Sequence, residues 1–420
     1  MIIATYTTLR KINPKNFTKA TRGTSREINR QILLTLIRTH QPVSRADLAR
    51  LMETNRANIT LLVNELLAEK LVREGAQGNL RVPGRKPTYL YINSESGFAV
   101  GLDVRASRTF MMLTDSIGKQ VGEIVSFPTK FESDEFVASI GWQVRKVLHE
   151  AGLSSSQATA FGGIGIVFPG MVDRETGVVI NAPKLGWKNV PLTEMLEREF
   201  ENTEIHLENS GRACALSQIW STRGDTHEQD DSVFVSVSDG VGVGVVINGE
   251  LMRGKHNTAG EFGHVPLSID GPQCSCGAHG CWEAYISNYA TLSRYFGRNL
   301  SRHQPESIET LEFTIADLIT RARSGDSKAL TALQSTARYL GLGLASVINA
   351  VDPSFVYIGG EITEAWDLIE PQVREAINER TLTRDLGKTP IRIVPAIEHP
   401  RLRGAVAMVT TPAFAAPKVA

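Results

Sequence analysis

The sequence predicts an α/β protein in two parts: a small, basic, largely helical unit with a two-stranded wing, followed by a body of two α/β lobes. Three observations predict it. The first is charge. The 420 residues carry no net charge, yet residues 1–93 hold 16 Lys+Arg against 6 Asp+Glu, a balance of +10 that the rest of the chain offsets with −10. A basic segment joined to an acidic body fits a first part that meets a polyanion and a second that does not. The second is periodicity, which is helical up to residue 67 and strand-like in the two segments that follow, "LVREGA" and "PTYLYIN". The third is the run of segments after Phe98. There "FAVGLDV", "FMMLTD" and "QVGEIVSF" read as three strands, "DEFVASIGWQVRKVLHEAG" as a helix and "FGGIGIVF" as a strand. A second set opens with "SVFVSVS" and closes with "FVYIGGEI". A meander followed by alternating helices and strands, met twice, argues for two lobes.

Residues 1–23 form a polar arm with Arg10, Lys11, Lys15, Lys19 and Arg22 and no acid. Over 24–93, Ile28, Ile32, Leu33, Leu36 and Ile37 recur at helical spacing, and "HQPV" at 40–43 ends that helix. Ser44 and Asp47 resemble a capping box that starts the short helix "SRADLARLM". "ETN" at 53–55 is a tight connection. Ile59, Leu62, Val63, Leu66 and Leu67 then make an apolar stripe whose opposite face presents Arg56, Asn58, Thr60 and Asn64. "LVREGA" and "PTYLYIN" flank the basic loop "QGNLRVPGRK" as two strands of a wing. Helix, helix, turn, helix and wing make a winged helix-turn-helix, in which the third helix enters the major groove of double-stranded DNA. Ser44, Arg45, Asn55, Arg56, Asn58, Thr60 and Asn64 are the expected contacts around that helix. Arg81, Arg85 and Lys86 on the wing reach the backbone or the minor groove.

Three of the four cysteines fall within eight positions, in "CSCGAHGCWE" (274–283). Cys274, Cys276 and Cys281 offer three thiolates, and His264 or His279 an imidazole. Three cysteines and one histidine are a common tetrahedral zinc set, and four protein ligands leave no open position for water, so a structural site is expected. Cys214, in "GRACALSQIW", reads as a small buried apolar residue. No apolar run approaches the ~18 residues of a membrane helix. Arg10 and Lys11 come after the short apolar start, the wrong order for a signal peptide. A cytoplasmic protein with no membrane partner is expected.

Six stretches now coincide: "GIGIVFPGMVD" (163–173), "NAPKLGWKNVPL" (181–192), "ENSGRACAL" (208–216), "DGVGVGVVINGELMRG" (239–254), "AGEFGH" (259–264) and "CSCGAHGCWEAY" (274–285). Together they resemble the ROK family of repressors, open reading frames and sugar kinases. With the winged helix in front, residues 24–410 resemble its regulators of the xylose-repressor and N-acetylglucosamine-repressor type. The resemblance implies an actin-like (ribonuclease H-like) ATPase fold of the sugar-kinase kind. It implies lobes over 98–215 and 216–420, with the C-terminal helix returning to the first lobe. It places the fourth zinc ligand at His264, and a sugar among Asn209, Ser210, Glu261, His264 and Glu283.

The same resemblance argues against catalysis. Kinases of the family have an aspartate base where this chain has Ser210, and a serine hydroxyl does not take a proton at neutral pH. Their D-x-G-G-T phosphate loop is here Asp103-Val104-Arg105-Ala106-Ser107, and their G-T-G is Gly240-Val241-Gly242. Gly359 and Gly360 remain. The expected protein is not an enzyme. It is a homodimeric or tetrameric repressor of carbohydrate genes that leaves its operator on binding a sugar or sugar phosphate. The alternatives are a sugar kinase with an added DNA-binding unit, and a regulator with a vestigial pocket controlled by a protein partner.

Overall fold

The computed structural model describes residues 22–75, 88–152, 161–201, 203–221, 231–300 and 313–410. Nearly all of the basic arm, the wing residues Arg81, Arg85 and Lys86, and residues 411–420 lie outside them. The chain divides into two compact units, one ending at Asn93 and the other spanning Ser94–Thr410.

In the first unit, α1 (Arg22–His40), β1 (Val43–Ser44), α2 (Arg45–Leu51) and α3 (Arg56–Ala68) precede β2 (Val72–Gly75) and β3 (Tyr89–Ile92). Leu33, Ile37, Leu48, Ile59, Val63, Leu66 and Leu90 are fully buried and form its core. The capping box at α2 is complete. Ser44 Oγ accepts from the Asp47 amide at 3.2 Å, and Asp47 accepts from the Ser44 amide at 3.2 Å. That hydroxyl also holds the Asp47 carboxyl below the usual carboxylate range. Asn55 caps α3 by accepting from the Asn58 amide at 2.9 Å. Arg26 and Arg30 of α1 pair with Glu65 and Glu69 at the α3 end. The wing has one strand more than the sequence suggests: β1 pairs with β3, giving a three-stranded antiparallel sheet in the order β1-β3-β2. Two residues are too few to show a period.

The second unit opens with β4 (Phe98–Val104), β5 (Arg108–Asp115), β6 (Val125–Pro128), α4 (Ser133–Glu150) and β7 (Phe161–Phe168). A small antiparallel sheet follows, β8 (Met171–Asp173), β9 (Val178–Ala182) and β10 (Trp187–Val190), then α5 (Leu192–Glu199), β11 (Glu204–Asn209) and α6 (Ser210–Ser221). The third strand is shorter than the run 120–127, because Gly122 turns at φ 73° and breaks it. The second half holds β12 (Ser232–Val237), β13 (Val241–Ile247) and β14 (Glu250–Leu251), then α7 (Glu283–Ile286), α8 (Asn288–Phe296), α9 (Ile315–Arg323) and α10 (Ser327–Val351). It ends with β15 (Phe355–Gly359), α11 (Trp366–Arg380), α12 (Arg384–Gly387), β16 (Ile391–Val394) and α13 (Pro400–Thr410).

The two large sheets share one topology. Their orders, β11-β7-β4-β5-β6 and β14-β13-β12-β15-β16, are each an antiparallel meander extended on its first strand by two parallel strands. This duplication is the two-lobed, actin-like α/β architecture. One apolar core lies between the first sheet, α4 and α5, and a second between the other sheet and α8–α11.

Two helices stand at the junction of the sheets. α6 crosses the expected lobe boundary at 215 and packs on β12 and β13, while α13 packs on α6, β4 and β7. The approach is close because side chains are missing. A Cβ on Gly165 would lie 1.9 Å from the Ala405 carbonyl oxygen, and one on Gly404 would lie 1.9 Å from that of Ala213. No helix among the described residues is long and apolar enough to cross a membrane.

Candidate metal centre and interlobe site

After β14 the chain makes a single turn of 3-10 helix, Phe262–His264, and then the cysteine loop. Gly277 (φ 94°) and Gly280 (φ 72°) adopt backbone angles that disfavour a side chain, and the loop folds back on itself there. The Cys274 amide donates to the Ala278 carbonyl at 2.8 Å, and the Gly280 amide to Pro272 at 2.9 Å. The result gathers His264, Cys274, Cys276 and Cys281, whose ligand atoms all lie within 4.8 Å of one another. Cys274 Sγ is 3.7 Å from His264 Nδ1, and Cys276 Sγ is 3.7 Å from Cys281 Sγ. A tetrahedron with metal–sulfur bonds of about 2.3 Å has edges of about 3.8 Å, so the set fits such an ion. Burial, followed by the neighbouring Cys274 and Cys276, pushes the Cys281 thiol up to about 12. His279 is exposed and its Nδ1 faces the Gly271 carbonyl at 3.2 Å, away from the cluster. Cys214 is fully buried and its thiol is likewise pushed up to about 12 by burial.

The residues expected to meet a sugar lie around the start of β13, at Val241 and Gly242. Asn209 ends β11. Its Oδ1 accepts from the Gly211 amide at 2.9 Å and its Nδ2 donates to the Gly170 carbonyl at 3.0 Å. Ser210 opens α6 against Gly242, where an added Cβ would lie 3.2 Å from the serine Oγ. Gly263, between Glu261 and His264, lies so close to the Val241 carbonyl oxygen that a Cβ there would come within 2.5 Å. Glu283 comes in on α7. It is buried, and its two oxygens accept from the Val241 amide and from Ser275 Oγ, each at 2.8 Å. Glu283 thus joins the glycine strand to the cysteine loop. Glu261 is half-buried; burial raises its carboxyl above the usual range, with Arg212 and His264 opposing.

Beneath Asn209 lies a charged cluster that the sequence reading missed. Arg212 is 2% exposed and Glu208 1%. Arg212 Nε donates to Glu208 Oε1 at 2.7 Å and its Nη1 to the Asn257 carbonyl at 2.8 Å. Arg253 donates to the other Glu208 oxygen at 3.2 Å, and the Asn209 amide donates to Glu208 Oε1 at 2.9 Å. The four-residue spacing of Glu208 and Arg212 gave no helix-face signal, because Glu208 lies in β11 and Arg212 in α6. Nothing nearby marks Arg253.

On the first unit, Asn55, Arg56, Asn58, Thr60 and Asn64 are all exposed, on the face of α3 opposite buried Ile59, Leu62, Val63 and Leu66. Ser44 stands apart from them: it is buried and its hydroxyl is engaged in the cap. Arg45 pairs with Glu74 of β2 at 2.7 Å.

Similarity to known proteins agrees with this architecture. The profile of the ROK family matches residues 140–411. The xylose repressor of Bacillus subtilis (strain 168) is 30% identical over 363 residues, covering 86% of this chain and 88% of that protein. Among solved structures, a ROK family transcriptional regulator described as a homologue of the Escherichia coli MLC protein superposes with a TM-score of 0.75 at 24% identity, over 93% of this chain and 98% of its own. A ROK family glucokinase from Streptomyces griseus, solved with glucose and AMPPNP, superposes with a TM-score of 0.62 at 24% identity, over 75% of this chain and 100% of its own. Both share the fold. This chain belongs to the ROK family.

Proposed function

We propose that the protein is a sugar-responsive DNA-binding repressor of carbohydrate uptake or catabolism genes, and that it senses its sugar without phosphorylating it. The observation that carries this reading is the exposed polar face of α3, set on a basic winged helix joined to a ROK body. The likeness to a xylose repressor over most of the chain supports it. In this reading a homodimer places one α3 in each of two half-sites. A sugar or sugar phosphate bound near Asn209, Ser210, Glu261, His264 and Glu283 changes the lobe angle and so the operator affinity. The ligand acts only to the extent that it prefers one lobe arrangement.

Zinc is the metal we assign to His264, Cys274, Cys276 and Cys281. With four protein ligands it supplies structure and not a bound water. The chain's own residues do the rest: His264 carries the end of the 259–264 segment, and the loop holds Ser275 against Glu283.

Two results test the proposal. Arg56→Ala and Asn58→Ala each weaken binding to an operator selected from a random duplex library by about 1–3 kcal/mol. They leave the melting temperature unchanged, because both side chains are exposed. Fluorescence anisotropy reads the first effect and calorimetry the second; unaltered operator affinity in both variants removes α3 as the reading helix. The purified protein also shows no ATP-dependent phosphorylation of glucose, N-acetylglucosamine or xylose in a coupled assay, and Ser210→Asp alone does not restore it. Turnover by the unmodified chain would establish the kinase reading instead.

A further inference from the structure

Asp103, Arg105 and Gly360 converge on one cavity of about 330 Å3, which Ser236 of β12 and Ser238 just after it also line. Two of this chain's own arginines point into it. Arg105, just after β4, donates from Nε to Asp103 Oδ2 at 2.9 Å and stacks on Phe110 with its guanidinium carbon 4.8 Å from the ring centroid. Arg401, in the first turn of α13, donates from Nη2 to Ser238 Oγ at 2.6 Å. Its Nη1 stands 3.7 Å from Asp103 Oδ1, a buried oxygen with no hydrogen-bond partner among the described residues.

The contacts close a ring. The Ser238 carbonyl accepts from the Asn288 amide at 2.8 Å. Asn288 Nδ2 lies 3.3 Å from both Asp239 and Glu361, and Glu361 Oε1 lies 3.6 Å from Arg105 Nη1. Asp103 lies in β4 of the first sheet and Arg105 just after it; Ser238, Asp239 and Glu361 follow strands of the second. Arg401 lies between them. Charges alternate around the ring: Arg105, Asp103, Arg401, then the acids of the second sheet. Burial opposes the charge on Arg401, but Asp103 and the other nearby acids outweigh it and raise its pKa.

We propose that this ring is a clasp between the lobes: Arg105 and Arg401 tie the first sheet to the second at this end of the cleft. Lobe movement then pivots at the clasp and opens the opposite end, beside Asn209 and Glu261. This last step rests on the regulatory reading above. The tying of the lobes does not.

The test uses hydrogen–deuterium exchange on the full chain, without sugar or DNA. Arg401 is deeply set, so the variants are Arg105→Gln and Glu361→Gln, whose side chains are 40% and 29% exposed and tolerate substitution. Each variant is expected to speed exchange about fivefold in peptides from both lobes, those around 101–107 and those around 234–240 and 357–362. The double variant is no faster than the quicker single one, since either change opens the same ring. Raising ionic strength from about 0.1 M to about 1 M cuts the screening length from about 10 Å to about 3 Å and speeds the same peptides in the unmodified chain. If Glu361→Gln changes only the peptide that contains it, or the two variants add, the clasp is refuted. Absence of operator binding would end the regulatory reading and leave this result untouched.

Discussion

Stripping the zinc proposed for the cysteine loop with a chelator, or replacing Cys281 with serine, lowers the melting temperature of the protein by roughly 5–10 °C. An ion held a thousandfold more tightly than its free concentration requires contributes about 4 kcal/mol, and a unit of this size shifts by a few degrees per kcal/mol. Cys281 has the largest effect because it is 1% exposed and is followed by Trp282, also 1% exposed. Trp282 Nε1 donates to the Tyr339 carbonyl at 2.9 Å, and its ring fills the space that a Cβ on Gly343 of α10 would occupy. A loop without its ion therefore loosens the seat of α7 on α10. It also releases Ser275 from Glu283 and Glu283 from Val241, so effector affinity falls more than tenfold. Metal analysis by mass spectrometry, melting curves and titration calorimetry read the three effects. Loss of the ion with unchanged melting and ligand binding would remove its structural role.

Arg212→Met destabilises the fold by about 3 kcal/mol, measured as a shift in the denaturant midpoint at constant slope. Removing one member of a buried ion pair leaves the other charged and poorly solvated, which is the expensive half of such a pair. Here Arg253 still reaches Glu208 at 3.2 Å and keeps the loss near the lower end of the usual range. The double variant Arg212→Met, Glu208→Leu recovers part of the stability, because no uncompensated carboxylate remains. Ligand binding does not recover with it, since Glu208 also receives the Asn209 amide. Equal loss in the single and double variants would mean that the charge of Glu208 is not the cause.

What could be read in the sequence follows from distance along the chain. The stripe Ile59, Leu62, Val63, Leu66 and the pair Ser44–Asp47 are local patterns, and the structure builds the expected helix and cap on them. The cysteine spacing is equally local, and the two glycine turns bring its three sulfurs together. Contacts between distant segments left no such mark. Arg253 meets Glu208 across 45 residues and Arg401 meets Ser238 across 163. Glu283 shows the same limit. Its place in "GCWE" suggests a group facing a sugar but gives no sign that its two oxygens also accept hydrogen bonds from Val241, 42 residues away, and Ser275.

The seating of α13 has a consequence for how the protein is made. One face of the first sheet is covered by α4 and α5, which are synthesised alongside it. The other face presents Ala99, Met112 and Val167 to Leu402, Ala405, Val406 and Met408. A ribosome that has finished β11 has therefore released a sheet with one apolar side still bare, and that side stays bare until translation has passed Met408. The early half of the body waits, half-dressed, for the last helix. A premature stop before Pro400 strands a lobe whose own codons were all read correctly.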